Sequence, residues 1–354
     1  MTELQNIRLT QFAHGGGCGC KIAPGLLSEI LARAPQGLVP PELIVGTETS
    51  DDAAVYRLNA EQALVATTDF FTPIVDDPYD FGRIAATNAL SDIYAMGARP
   101  ILALALVGMP IAKLPPEVIG RVLEGGAAVC RDAGIPIAGG HSIDVLEPIY
   151  GLVALGLVHP EGVRRNADAQ PGDALVLGKP LGVGVLSAAL KQGLLDEAGY
   201  AEMLRHTTQL NRVGAALGEL TGVHAMTDVT GFGLGGHLLE MCRGSGLSAR
   251  LRLAQLPLIA AAQGFVAQGV VTGASGRNWA SYGAQVQWPE AAPPWLRHML
   301  TDPQTSGGLL VSCAPEALGA VLQAFHEAGF AHAAAIGEMC QPLESSAAGI
   351  ECVL

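Results

Sequence analysis

The chain is poor in charge. Of its 354 residues only 15% are Asp, Glu, Lys or Arg, and 20 basic residues face 33 acidic ones, for a net of −13. A surface so short of Lys and Arg does not suit nucleic acid, whose binding rests on cationic contacts to phosphate. Long apolar runs are also missing. The longest, from Ile101 to Leu106, continues only to Ala112 and is broken by Gly108 and Pro110, well short of the ~20 residues that span a bilayer. Met1 to Phe12 has no apolar stretch of the signal-peptide kind. Seven cysteines, an odd number at irregular spacing, do not make a disulfide framework, and a reducing cytoplasm is the simplest expectation. Aromatic residues are scarce at 5%, whereas 45 residues are glycine, so strands with many turns are expected beside helices.

What is present suffices for two domains at roughly 100–200 residues each, with 49% hydrophobic residues to fill them. Near the start, His14-Gly15-Gly16-Gly17-Cys18-Gly19-Cys20-Lys21 sets two thiols and an ammonium among four glycines. So much glycine argues against a core element and for a turn or a mobile loop. A neighbouring Lys⁺ is one way to lower a thiol's pKa, so the stretch is expected to be an exposed reactive loop that closes over something bound elsewhere.

Apolar spacing predicts a helix over Pro24–Ala34, a strand over Ala63–Thr68 ending at Asp69, and a long helix over Tyr79–Met96 stopped by Gly97. On that helix Asn88 and Asp92 lie one turn apart on one face. A strand over Ile101–Val107 and a helix over Pro115–Ala133 follow. Ile135–Ala138 then reads as a short strand opening into a glycine turn at Gly139-Gly140-His141-Ser142, and Tyr150–Val158 as a strand. The second half reads as strand 173–177, helices 185–192 and 200–220, strand 223–226 and helix 234–243. After a loop-rich region from 251 to 295 come strand 309–312, helix 315–328 and a last strand at 331–336. The alternation gives an α/β or α+β organisation, with segments at 1–48, 49–165 and 166–354.

The chemistry-bearing groups are carboxylates and glycine turns. Asp51, Asp52, Asp69, Asp92 and Asp228 sit at the ends of apolar elements or on a helix face, as turn residues and caps often do. Their repetition beside glycine-rich turns also fits a hard cation such as Mg²⁺, which takes carboxylates together with substrate phosphates. Asp51 and Asp52 are adjacent and so should do different work. Gly139–Ser142, Gly231–Gly233 and Gly307-Gly308 could each turn backbone N–H groups toward phosphate, although none forms a Walker loop. Cys18 and Cys20 give only two ligands of the four that structural zinc wants, with His14 a remote third. Cys130, Cys242 and Cys313 read as small buried hydrophobes.

In order along nearly the whole chain, His14–Lys21, Thr49-Ser-Asp-Asp-Ala-Ala-Val-Tyr56, Thr67-Thr-Asp-Phe-Phe71, Phe81–Gly97, Gly139-Gly-His-Ser-Ile-Asp144, Met226-Thr-Asp-Val-Thr-Gly-Phe-Gly-Leu234 and Asp302-Pro-Gln-Thr-Ser-Gly-Gly-Leu309 resemble the selenide, water dikinases, or selenophosphate synthetases. The acidic segments alone also fit the wider superfamily of aminoimidazole ribonucleotide synthetases and thiamine-monophosphate kinases; the Cys18/Lys21 loop narrows the match. The resemblance implies two α+β domains of the aminoimidazole ribonucleotide synthetase-like type, a flexible glycine-rich loop, and a homodimer joined through the N-terminal sheets. It also implies that ATP, selenide and water become selenophosphate, AMP and orthophosphate, for selenocysteine and selenouridine formation. It makes Cys18 and Lys21 the catalytic pair and Asp52, Asp92 and Asp228 the Mg²⁺ ligands. Lys21, Thr49, Ser50, Asp51, Asp69, Asp92, Gly140, His141 and Ser142 become ATP contacts, the last three reaching across the dimer. A monovalent cation such as K⁺ and a selenium-delivery protein would belong to the same system. Two alternatives stand beside it: an ATP-dependent kinase or synthetase of the superfamily acting on another small molecule, and a non-enzymatic selenium or metal carrier.

Overall fold

A computed structural model describes residues 7–22, 24–33, 37–47, 51–342 and 348–354. After 3-10 turns at Leu9–Phe12 and Gly17–Cys20, the chain forms α1 (Pro24–Leu31), β1 (Leu43–Val45), β2 (Ala54–Arg57) and β3 (Ala63–Phe71). It continues through α2 (Pro78–Ala95), β4 (Arg99–Met109), α3 (Pro116–Asp132), β5 (Ile137–Asp144) and β6 (Ile149–Val158). These strands make a sheet in the order β1-β2-β3-β6-β4-β5, antiparallel except where β4 meets β5.

The second half runs β7 (Ala174–Leu177), α4 (Val183–Lys191), α5 (Glu197–Thr207), α6 (Val213–Glu219), β8 (Val223–Asp228), α7 (Gly233–Ser245) and β9 (Ser248–Arg252). Then come α8 (Ala260–Ala267), α9 (Gly273–Tyr282), β10 (Val286–Gln287), α10 (Pro294–Thr301), β11 (Leu309–Cys313), α11 (Leu318–Glu327), β12 (Ala334–Cys340) and β13 (Ile350–Val353). Its sheet has the order β10-β13-β9-β12-β7-β11-β8.

Helix α2 joins the halves. Asp77 caps it by accepting from the Asp80 N–H, and Pro78 opens the first turn, where a missing N–H costs nothing. Phe81, Ile84, Leu90 and Ile93 are fully enclosed, each worth about 1.5–3 kcal/mol of apolar burial. The helix covers β3 and β6 and also touches β8, α5 and α6 of the second half. Residues four apart share a helix face, so Ile84, Asn88 and Asp92 form a stripe, and that stripe looks toward the junction.

Several expectations need correcting. Gly139–Asp144 is the continuous strand β5, not a turn. A Cβ at Gly140 would meet the Ala105 carbonyl oxygen at 2.1 Å, so this glycine serves close strand packing. Asp69 lies inside β3 rather than ending it. The 200–220 helix is two, α5 and α6, and the region expected to be loop-rich holds α8, α9 and part of α10. Strands β9 and β13 did not stand out in the apolar pattern, and the second sheet continues past 336. No helix among the described residues is long and apolar enough to cross a membrane.

Candidate active site

Three carboxylates converge where the halves meet. Asp52 precedes β2, Asp92 sits on α2 and Asp228 ends β8, and one ligand oxygen from each lies within 4.8 Å of the others. Thr227 Oγ1 donates to Asp52 Oδ1 at 2.9 Å, and Thr67 Oγ1 donates to Asp92 Oδ2. Asp52 Oδ2 and Asp228 Oδ2 are buried without a hydrogen-bond partner among the described residues. Burial, and then the neighbouring Asp228 charge, push the Asp52 and Asp92 carboxyls well above the usual range; burial raises Asp228 as well. Like charges held together out of water favour a proton or a cation, and three carboxylates with two spare oxygens suit a hard, oxygen-seeking ion.

The glycine loop is seated beside this cluster rather than exposed. Cys18 is 0% exposed within the 3-10 turn. Its N–H donates to Thr305 Oγ1 at 3.0 Å, and its thiol donates to Asn88 Oδ1 at 3.2 Å. Asn88 Nδ2 donates to Asp69 Oδ2 at 2.7 Å, and that same oxygen meets Lys21 Nζ at 3.2 Å. Thiol, carboxamide, carboxylate and ammonium thus form one line of contacts. The expected depression of the thiol by Lys21 is present but outweighed: burial lifts Cys18 well above its ordinary value. Burial alone would lower the Lys21 ammonium, but Asp69, then Cys18, hold it well above its usual range.

Other expected residues lie elsewhere. Asp51 Oδ1 accepts the Asn166 N–H at 2.7 Å. Gly140, His141 and Ser142 are open to solvent on the edge strand β5. Thr49 and Ser50 fall outside the described residues. His14 does not join the thiols: its Nδ1 meets Glu147 at 2.8 Å. Cys130, Cys242 and Cys313 are buried. The glycines of Gly307-Gly308 do not form a phosphate cradle. A Cβ at Gly307 would meet the Val229 carbonyl oxygen at 1.8 Å and one at Gly308 the Lys179 N at 2.2 Å, so both are packing glycines.

Sequence reasoning missed the linking role of Asn88 and the part played by Thr305 and Ser306. Ser306 N–H donates to Asn88 Oδ1 at 2.7 Å. The position of Asn88 one turn from Asp92 was the available signal; nothing local pointed to Thr305 and Ser306, which sit 287 and 218 positions from their partners Cys18 and Asn88.

Two mixed sheets around a carboxylate cluster at the junction define a known class. Residues 50–158 match the AIR synthase related protein N-terminal domain and residues 170–346 its C-terminal domain. Among solved structures, a thiamine-monophosphate kinase from Stenotrophomonas maltophilia superposes with a TM-score of 0.64 at 21% identity, covering 94% of this chain and 96% of that one. Within the class the chain belongs to the selenide, water dikinases. It is 69% identical to the selenide, water dikinase of Burkholderia pseudomallei over 96% of both chains, and 65% identical to that of Pseudomonas straminea over 94% of this chain and 93% of that one.

Proposed function

We propose that the site converts ATP, selenide and water into selenophosphate, AMP and orthophosphate. Formation of AMP requires that two phosphoryl groups leave the nucleotide; one goes to selenium and one to water. The observation that carries the reading is the junction itself, where a thiol-bearing loop meets carboxylates drawn from both halves. Phosphoryl transfer is chiefly positioning and charge neutralisation. Asp52, Asp92 and Asp228 would hold Mg²⁺, which when bound supplies positive charge for the phosphate oxygens. Lys21 adds a cation from the loop, while Asp69 orients it. Burial of Cys18 under the closed loop keeps water from the selenium transfer. Cys18 presents or steers selenium and does not accept phosphate; trapping a phosphorylated Cys18 during turnover would sink that assignment.

Phosphorus NMR of ATP, Mg²⁺ and selenide under anaerobic conditions tests the reaction. Selenophosphate and AMP should appear with the intact protein and not with Cys18→Ala. Untouched ATP would overturn the reading. A phosphorylated small molecule without AMP would point to another kinase of the superfamily.

The same reading makes the protein a homodimer. Phe70, Ile101 and Ile143 are exposed at 48%, 39% and 51% on the first sheet, whose edge strand β5 is unpaired within the chain. An exposed apolar sheet face beside an unpaired edge is usually covered. Sedimentation of a monomer at micromolar concentration would refute it.

A further inference from the structure

Lys179 follows β7, is 2% exposed and packs against the 302–308 segment. Its Nζ donates to the carbonyl oxygens of Ser306 and Gln209, both at 2.7 Å. A lysine so placed is costly unless it is fully hydrogen-bonded, and an apolar side chain would fill the volume without that cost. Burial pushes its pKa down to about 7. The neutral amine still carries two N–H groups, one for each carbonyl, so the contacts do not depend on protonation.

The residue it grips is unusual. Ser306 is the non-glycine residue with positive φ among those described, at 51°, a conformation unfavourable to any residue with a Cβ. All its polar groups are engaged: the N–H to Asn88 Oδ1 at 2.7 Å, the Oγ to the Ile84 carbonyl at 3.0 Å, and the carbonyl to Lys179. The Ser306 N–H has a further effect. As a donor it requires the oxygen of the Asn88 carboxamide to face it, which fixes the amide against flipping. Only in that orientation does Asn88 Nδ2 point at Asp69 while Oδ1 receives the Cys18 thiol.

We propose that Lys179 is a positioning residue for the thiol loop: it holds Ser306 in its left-handed turn, and Ser306 in turn sets the Asn88 carboxamide between Cys18 and Asp69. The inference rests on the function proposed above, in which those groups face the reacting phosphate and selenium.

A double-mutant cycle tests it. Glycine adopts the left-handed turn without help, so Ser306→Gly removes the need for Lys179 to impose it. Lys179→Met should lower kcat about thirtyfold in the otherwise native enzyme but less than about fivefold in the S306G background, as coupled neighbours do. KM for ATP should change less than kcat, since Asp69 keeps its own ion pair with Lys21 when Asn88 turns. Alkylation of Cys18 without ATP should speed up in K179M and return toward the native rate in K179M/S306G. Equal losses in both backgrounds would overturn the proposal and leave Lys179 a plain core residue. If K179M does not fold, Lys179→Gln, which keeps two N–H groups on one nitrogen, enters the same cycle with the same criteria. A Cys18→Ala enzyme with full selenophosphate formation would remove the role of the thiol, yet the coupling of Lys179 to Ser306 would still be read from kcat.

Discussion

At the scale of single residues, the site is a place where folding and function oppose each other. Asp228 is 1% exposed with a spare oxygen, beside two more carboxylates. Its charge raises both neighbours' pKa values, which is a cost borne by the metal-free fold. Asp228→Asn removes that repulsion while keeping the shape. Without Mg²⁺ the variant should melt higher, at about 2–4 °C for each kcal/mol relieved, and should make selenophosphate at least about 100-fold more slowly. Calorimetry and the phosphorus assay check the two halves. A lower melting point would mean that Asp228 is structural. Five carboxylates stood out in the sequence because acidic residues recur at element ends and because Asp92 is a poor residue for a helix interior; the resemblance, not the pattern, singled out Asp52, Asp92 and Asp228. Asn88 was less legible. Its oxygen bonds groups from two distant segments, and no local pattern encodes a contact between positions 88 and 306.

At the scale of elements, the loop and the segment it rests on are fitted through glycine. A Cβ at Gly231 would meet the Cys18 carbonyl oxygen at 2.6 Å and Lys21 Cδ at 3.0 Å. Gly231 does not have a positive φ, so alanine is permitted there by the backbone, and its nearest obstacles all belong to the loop. Gly231→Ala should therefore unseat the thiol loop and leave the second sheet intact. We expect faster alkylation of Cys18, a large loss of selenophosphate formation, and a lower melting temperature, since the site is buried and the displaced loop gives up the packing of Cys18. A slow-reacting Cys18 in this variant would show that the loop tolerates the methyl group. Glycine also explains where the sequence misled. Read as a turn signal, Gly139-Gly140 broke a strand that β5 in fact continues, because a glycine needed for close packing and one needed for a turn look alike until the neighbouring strand is known. The long elements α2, β4, α3 and β6 were legible from their apolar spacing. Strand β9 (Ser-Ala-Arg-Leu-Arg) was not, since its arginines pair with Glu338 and Glu351 on neighbouring strands.

At the scale of the whole molecule, both halves contribute to one charge cluster, so cation binding and global stability should be linked. The carboxyl pKa values of Asp52, Asp92 and Asp228 are raised, so the folded protein holds protons that the unfolded chain releases near pH 4. That contribution is complete below pH 4 and is lost as pH rises through the folded values. Asp302, raised by burial to about 7, acts in the same direction. His206, lowered by burial to about 4, opposes them between its folded value and its ordinary 6.5. Lys179, lowered to about 7, adds stability as pH rises above that value. The overall profile therefore mixes signs; a comparison with and without Mg²⁺ removes what Asp302 and His206 contribute alike to both curves, while Lys179, which feels the Asp228 charge, shifts together with the cluster. Protons compete with the cation for the same oxygens. Millimolar Mg²⁺ should raise the melting temperature more at about pH 8 than at about pH 5.5, because the raised carboxyls meet stronger competition from protons as pH falls. In D228N the Mg²⁺ effect should be small at both. An equal Mg²⁺ shift at the two pH values, or an undiminished one in D228N, would place the cation elsewhere and separate the acidic junction from the phosphate chemistry.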